Sequence, residues 1–593
     1  MKFVNIVMVL LVSTAIRLAE RTIINSLKSF NKIIIIKTFY LLLVILITSG
    51  QLYSQTYGRN GMVVSSSNIA SETGISILKK GGNAIDAAVA TAFALAVTHP
   101  GAGNIGGGGF MVYMNSNGTT TSIDFREKAP LEATADMFLD SSGRLIKDSN
   151  HFSAKAIGVP GTVAGLFLAH SKYGKLPWHD VVQPAIDLAS KGFEMNWSLY
   201  FDAKKYEAKS DEFPFLNSFF RIDDGRIPEP GEIWKQPELA NTLSIIRDKG
   251  HDGFYKGEVA KEIADFMKKN HGLITMKDLA EYEAIERKPL EGTYKEYKIY
   301  TMPPPGSGGV ALLEMMNIME MADFKKLEFN SAEYVHFLAE AMRRAFADRA
   351  RCLGDPDFNP EMPVEKLISK DYARKLFNSI DMQKASVSDP SAFSFISEGD
   401  NTTHFSVIDR EGNAVSLTYT LEYSYGSGLI AEKLGFIFNN EMGDFNPVPG
   451  ITTNSGQIGT KPNLIEPGKR MLSSMTPTIV AKNGKPYLII GSPGGRTIIN
   501  TVFQTILCVV EYNMNVKRAI EAMKIHHQWL PDQITYEENL LSPDTRKALE
   551  KMGHKLTGTS NLGSLMGIMY DFRNDVYVGA FDSSAGEGGA AGY

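Results

Sequence analysis

The sequence predicts a large layered fold of the α/β (α+β) type, and three observations carry that reading. From about Arg59 onward, helical and strand periodicities alternate along the chain. Two β-hairpins are legible, one from Phe110 to Phe125 and one from Thr402 to Thr420. Between them, from Ala156 to about Ala350, apolar residues recur at helical spacing, so helical layers are available to cover the strands.

The 593 residues are 44% hydrophobic and 21% charged, and 61 Lys and Arg stand against 66 Asp and Glu for a net charge of −5. At about 150 residues per domain this length predicts three to four domains, unless one α/β layer structure takes most of it. No basic excess marks a nucleic-acid partner. The apolar fraction excludes a disordered chain, and the short apolar runs exclude a multi-span membrane protein. Two cysteines, Cys352 and Cys508, are too few for a disulfide framework or a cysteine zinc site and are expected to be small buried residues.

Residues 1–54 read as an export segment. Lys37 precedes an apolar core from Phe39 to Ile47, and Thr48-Ser49-Gly50-Gln51 follows, the basic, apolar and small-residue order of a secretory signal. Ile33 to Ile36 would lengthen the run into a single membrane anchor if Lys37 were tolerated. The length favours a cleaved signal, and the protein is expected to be exported, periplasmic or secreted.

The first helix is alanine-rich, Asn83 to Ala96, with Ile85, Ala88, Val89, Ala92 and Leu95 on one face. The loop Gly101 to Gly109 leads into two strands, Phe110 to Met114 and Thr120 to Phe125, around the turn signal Asn115-Ser116-Asn117-Gly118. Helical spacing then covers Leu166 to Tyr173, Asp180 to Lys191, Glu238 to Lys249, Val259 to Lys268 and Ala332 to Ala350, which read as scaffold. Residues 381–401 lose periodicity and fill with Ser, Asp and Pro, the composition of an exposed segment open to cleavage.

Thr402 to Asp409, Arg410-Glu411-Gly412 and Asn413 to Thr420 form the second hairpin, and pairing Asp409 with Asn413 sets Thr402 opposite Thr420. Two hydroxyls then meet at its open end. If the bond between Asn401 and Thr402 is cut, Thr402 becomes an N-terminal residue with a hydroxyl nucleophile and a free amine. An α-amine titrates at about 7.7 to 8.0 and can act as the base that a weak hydroxyl nucleophile needs.

Here the chain resembles the γ-glutamyltranspeptidases, or glutathione hydrolases, of the N-terminal nucleophile superfamily. The resemblance runs from about Asn60 to Tyr593. It rests on Asp124-Phe125-Arg126-Glu127, Gly354-Asp355-Pro356-Asp357, Thr402-Thr403-His404, Asn439 to Phe445, Ser473-Ser474-Met475-Thr476-Pro477 and Gly491-Ser492-Pro493-Gly494-Gly495, in that order. It implies a four-layer αββα sandwich built from two autoprocessed subunits, a large one over 55–401 and a small one over 402–593, held as a heterodimer.

The resemblance also implies site roles. Thr402 is the nucleophile and Thr420 assists it; Gly494 and Gly495 form the oxyanion hole. Arg126, Ser473 and Ser474 take the substrate's α-carboxylate, and Glu422, Glu441 and Asp444 its α-ammonium. The substrates implied are glutathione and other γ-glutamyl compounds, with water, amino acids or peptides as acceptors, and no cofactor. Many family members carry amides where Glu422 and Glu441 stand, so three carboxylates around one ammonium predict tighter binding of the protonated amine and a shifted pH dependence. The stretch from Asn446 to Met471 matches a lid, with Thr453-Asn454-Ser455-Gly456 placing a serine where some members have an aromatic gate.

Other readings compete for the same residues. Arg126 alone reads as a surface ion pair with Glu127 or Asp124. His526-His527 invites a metal, but no ligand spacing accompanies the pair, and no metal is expected. Leu488 to Arg496 is strand, glycine loop and helix, yet it lacks the lysine and the spacing of a nucleotide site. A glutaryl or cephalosporin acylase of the same fold would not need the three acids, and a self-cleaving but non-catalytic exported binding protein would stand only if cleaved protein failed to turn over a γ-glutamyl anilide.

The cleavage reading predicts that purified protein runs as two bands on a denaturing gel. The smaller should begin Thr402-Thr403-His404 on N-terminal sequencing, and a Thr402→Ala variant should stay as one band.

Overall fold

Fourteen strands pair into two seven-stranded antiparallel sheets, and each sheet turns one face to the other and one face to helices. The structure is a computed structural model and describes residues 55–389, 401–451, 453, 459–585 and 588–593. The strands are β1 (Thr56–Gly58), β2 (Gly61–Ser65), β3 (Gly108–Met114), β4 (Thr120–Phe125), β5 (Ile285–Arg287), β6 (Leu290–Tyr294) and β7 (Tyr297–Thr301). They continue with β8 (Asn401–Asp409), β9 (Ala414–Glu422), β10 (Thr478–Lys482), β11 (Lys485–Gly491), β12 (Met566–Asp571), β13 (Val576–Phe581) and β14 (Gly589–Gly592). One sheet has the order β14-β2-β8-β9-β3-β4-β5, the other β1-β13-β12-β11-β10-β7-β6.

Alternation along the strands sorts the core. In β3, Phe110, Val112 and Met114 lie in the cluster between the sheets, while Met111 and Tyr113 join the helices outside. The outer layer on that side includes α1 (Asn68–Lys79) and α2 (Ala84–Thr98), and on the far side α3 (Ser307–Met319), α4 (Ala332–Cys352) and α5 (Thr497–Val510) cover the second sheet. The result is four layers, αββα. Helix α2 is buried all round, as an alanine-rich sequence without a polar face requires. Asn83 caps it in a reciprocal box with Asp86, and Asp409 at the hairpin turn accepts a further bond from the Ala84 amide at 2.9 Å.

The β8/β9 hairpin has the expected register, Thr402 opposite Thr420, and a shift between Asn401 and Thr402 brings Asn401 opposite Glu422. Both strands extend past the predicted ends, β8 back to Asn401 and β9 on to Glu422. The hairpin fills the middle of its sheet, flanked by β2 and β3. Strands from both 55–401 and 402–593 enter each sheet, and residues 55–593 form one unit rather than several domains. The length prior therefore overcounts, because one four-layer core absorbs the chain.

Residues 390–400 and 454–458 lie outside the described residues, and with them the centre of the expected cleavable segment and most of the expected gate. The part of the first segment that is described is tied down rather than open. Ser386 bonds Glu340, the Ser388 amide donates to Asp532 at 2.8 Å, and the Ala385 amide donates to Met552. The export segment, 1–54, is likewise outside, and among the described residues no helix is long and apolar enough to cross a membrane. Cys508 is buried as expected, but Cys352 is only half-buried, at the last turn of α4 where the helix leaves the core.

The glycine run before β3 is explained by packing. A Cβ on Gly107 would lie 2.0 Å from the Thr420 carbonyl oxygen and 2.8 Å from Asn104 Oδ1. Gly107→Ala should therefore lower stability by about 1–3 kcal/mol, read as a fall in the thermal unfolding midpoint, and should slow any cleavage that depends on the neighbouring Thr420.

Candidate active site

Strand β8 delivers Thr402 to the face between the two sheets, where Thr402 and Thr420 are both almost fully buried and their Oγ1 atoms are 3.4 Å apart, with the Thr402 hydroxyl donating. Thr420 Oγ1 also accepts the Glu422 amide at 2.8 Å, so its position is set by its own strand. His404, on the same face, is not a base for this pair. Its Nδ1 meets Thr418 and its Nε2 meets Ser406, and burial lowers its pKa to about 3.

The end of β11 lies over this point, since a Cβ on Gly491 would come within 2.4 Å of the His404 ring. The chain then turns through Gly494 and Gly495 with φ of +127° and +55°, a backbone that L side chains rarely adopt. Among the described residues neither glycine amide donates to a protein acceptor. A pair of such N–H groups suits a developing oxyanion.

Arg126, at the end of β4, is fully buried and not a surface residue. Its guanidinium touches Glu441 at 2.5 Å, Glu127 at 3.3 Å and Asp444, and it also donates to the carbonyls of Met471 and Leu472, which precede Ser473. Asp124 instead braces the backbone, accepting the Arg126 amide and pairing with Arg287. Glu422 and Glu441 are buried as well, so these acids are not solvated loop charges. The motif from Asn439 to Phe445 folds as a short 3₁₀ turn held by its asparagines: Asn439 bonds Gly106 and Gly158, and Asn440 accepts the Tyr423 amide. Gly354-Asp355-Pro356-Asp357 is a brace, in which Asp355 accepts the Arg470 amide ahead of the serine pair.

One guanidinium among three acidic residues sets the electrostatics. Burial drives Glu441 well above the carboxylate range and Glu127 up to about 8, against the pull of Arg126. Burial thus favours protons on these two acids.

Sequence reasoning missed three residues here. Glu127 reads as a local ion-pair partner until the fold buries it. Arg349, in the last turns of the supposed scaffold helix α4, is buried and donates to Ser474 Oγ at 3.0 Å and Ser307 Oγ at 2.8 Å. His151 faces Glu422 from a segment without periodicity. No spacing signal could have found either of the last two, because their partners lie far along the chain.

His526 and His527 are buried, both lowered to about 4 by burial, and are used in hydrogen bonds to Asn500, Gln528 and the Trp529 amide. The one trio among the described residues with metal-ligand proximity is His336, Glu340 and His554. Its imidazoles bond each other at 2.8 Å, and Glu340 is paired with Arg343 and Arg344, cations that oppose a metal.

Two facing antiparallel sheets between helices, with a threonine at the head of a central strand, define an N-terminal nucleophile hydrolase fold. The gamma-glutamyltranspeptidase family model matches residues 70–593. The chain is 46% identical over 539 residues to the glutathione hydrolase proenzyme of Escherichia coli, covering 90% of this chain and 92% of that one. It is 40% identical to the glutathione hydrolase proenzyme of Bacillus subtilis, covering 89% and 90%, and 36% identical to the Acylase ACY 1 proenzyme of a Pseudomonas strain, covering 84% and 88%. Among solved structures, a cephalosporin acylase from Bacillus halodurans superposes with a TM-score of 0.80 at 26% identity, over 91% of this chain and 97% of that one. The Helicobacter pylori gamma-glutamyltranspeptidase gives 0.52 at 44% identity, over 54% of this chain and 91% of the solved chain. The chain belongs to the γ-glutamyltranspeptidase family.

The protons that burial favours make stability depend on pH in a fixed sense. Glu127 is protonated in the folded protein up to about 8 but ionised in the unfolded chain above its ordinary 4.5, so its contribution falls as pH rises between those values. Glu127→Gln removes this loss. The difference in unfolding midpoint, variant minus wild type, should grow in the variant's favour from pH 5 to pH 8; a constant difference would mean that Glu127 is ionised throughout.

Proposed function

We propose that this protein is a γ-glutamyltransferase and glutathione hydrolase that matures by cutting itself between Asn401 and Thr402. The observation that carries the proposal is the buried Thr402–Thr420 pair at the open end of the β8/β9 hairpin, in a chain of this family. Thr402 Oγ1 attacks the Asn401 carbonyl and the resulting ester is hydrolysed, leaving a large subunit ending at Asn401 and a small one from Thr402 to Tyr593. Interleaved strands then hold the two as a heterodimer. Residues 1–54 direct the precursor out of the cytoplasm, as a cleaved signal in preference to an anchor.

In catalysis the freed α-amine of Thr402 takes the hydroxyl proton as Oγ1 attacks the γ-carbonyl of a γ-glutamyl amide. Gly494 and Gly495 stabilise the oxyanion. The C–N bond breaks, the leaving amine takes the proton, and a γ-glutamyl ester remains on Thr402. Water, an amino acid or a peptide then accepts the γ-glutamyl group. Thr420 orients the nucleophile, Arg126, Ser473 and Ser474 take the α-carboxylate, and Glu422, Glu441 and Asp444 take the α-ammonium. Arg349 supports this by donating to Ser474 Oγ, which fixes the position of that side chain.

The acylase reading is weaker. The acylase relative is more distant, at 36% identity against 46%, and a glutaryl group has no ammonium for the buried acids to bind.

Processed protein should release the amine from a γ-glutamyl anilide, and Thr402→Ala should lower kcat/KM by about a thousandfold or more. Glu422→Gln should raise KM several-fold and change the pH profile of kcat/KM. An unchanged profile would count against the ammonium-binding role.

A further inference from the structure

His151 belongs to no strand or helix. It lies in the connection between β4 and the helix Thr162–Tyr173, yet its ring is almost fully buried beside Glu422. Its Nδ1 is 3.1 Å from one carboxylate oxygen of Glu422 and 3.2 Å from the other. On the opposite edge, Nε2 is 2.9 Å from the side-chain nitrogen of Asn150, itself buried.

These distances select a tautomer. An amide nitrogen only donates, so Nε2 is the acceptor and the single proton of a neutral imidazole sits on Nδ1, aimed at the carboxylate. Turning the Asn150 amide around would put that proton on Nε2 and set the Nδ1 lone pair against Glu422. The charged groups that act on the ring besides Glu422 are Asp444 and Asp148, both favouring the protonated form, but burial outweighs them and keeps the imidazole below its ordinary pKa.

The ring cannot swing. It stacks on Tyr423 with centroids 4.6 Å apart and planes 15° from parallel. From the other side, the chain between Glu441 and Asp444 packs so closely that a Cβ on Gly443 would lie 2.3 Å from His151 Nδ1 and 2.7 Å from a Glu422 carboxylate oxygen. Glu422 needs such support. Its own φ of +78° is rare for a side-chain-bearing residue, a strained position that its surroundings must maintain.

We infer that His151 is a positioning residue: its Nδ1–H orients the Glu422 carboxylate toward the α-ammonium of the substrate, and through Glu422 it sets the preference for substrates that carry that ammonium. The inference rests on the γ-glutamyl reading above. The residue touches no reacting atom, so its effect belongs to recognition of the amine end and not to the acyl transfer.

The test compares two anilides with the same scissile amide, γ-glutamyl anilide and glutaryl anilide, which lacks the α-ammonium. His151→Phe keeps an aromatic ring on Tyr423 and removes the donor; His151→Gln restores a donor. Only protein that has processed into two subunits is assayed, and His151→Leu replaces the phenylalanine variant if that one fails to process. We expect His151→Phe to raise KM for γ-glutamyl anilide by about tenfold with kcat within about twofold. The kcat/KM for glutaryl anilide should be unchanged, and His151→Gln should recover most of the loss. Equal losses on both anilides, or no loss on either, would overturn the positioning role. Wild-type protein inactive on γ-glutamyl anilide would instead overturn the proposed function, and this inference with it.

Discussion

The pairing of β8 with β9 is the constraint from which the site is built. Both strands lie in the middle of their sheet, so their register is held on each side by β2 and β3, and a slip of one residue would turn every inward side chain outward. That register places Thr402 against Thr420, and the shift at Asn401 brings the residue before Thr402 opposite Glu422. A side chain on a central strand, as Thr402 is, is positioned by the whole four-layer core, not by a loop. The same arrangement would hold together a chain cut at this point, because strands from both sides of it pair within each sheet.

Around that hairpin the protein concentrates acidic side chains that an isolated interior would reject. Burying Glu127, Glu422, Glu441 and Asp444 is tolerable because Arg126 lies among them and because part of their charge is neutralised by protons. The supporting residues are themselves polar and hydrogen-bonded: Arg349 on the serine pair, Asn439 and Asn440 on the short turn that carries Glu441, and Asp355 on the loop before Ser473. The geometry of this cluster is thus held by side chains far apart in the sequence that meet only in the fold.

Much of this was legible in the sequence. The helix from Asn83 carried its cap and its apolar content in consecutive residues, and the hairpin carried its turn. Local patterns of that kind depend on neighbours within a few positions, so they survive reading in one dimension. The family resemblance added the four-layer architecture and named Thr402, Thr420 and Arg126 together. Where the reading strayed, the cause was burial. Arg126 taken alone looks like a surface ion pair, and α4 looks like scaffold, because neither residue type nor periodicity tells how deep a side chain lies.

By itself, then, the sequence determined the element types, the strand register that sets two threonines face to face, and the family to which the chain belongs. Each of these is encoded by short-range periodicity or by contiguous motifs. Only the tertiary structure decided that Arg126 sits among three carboxylates, that Arg349 reaches Ser474 across 125 residues and that His151 faces Glu422 across 271. Those contacts follow from how the layers stack. Their energies depend on exclusion of water, a property that no residue possesses until the rest of the chain surrounds it.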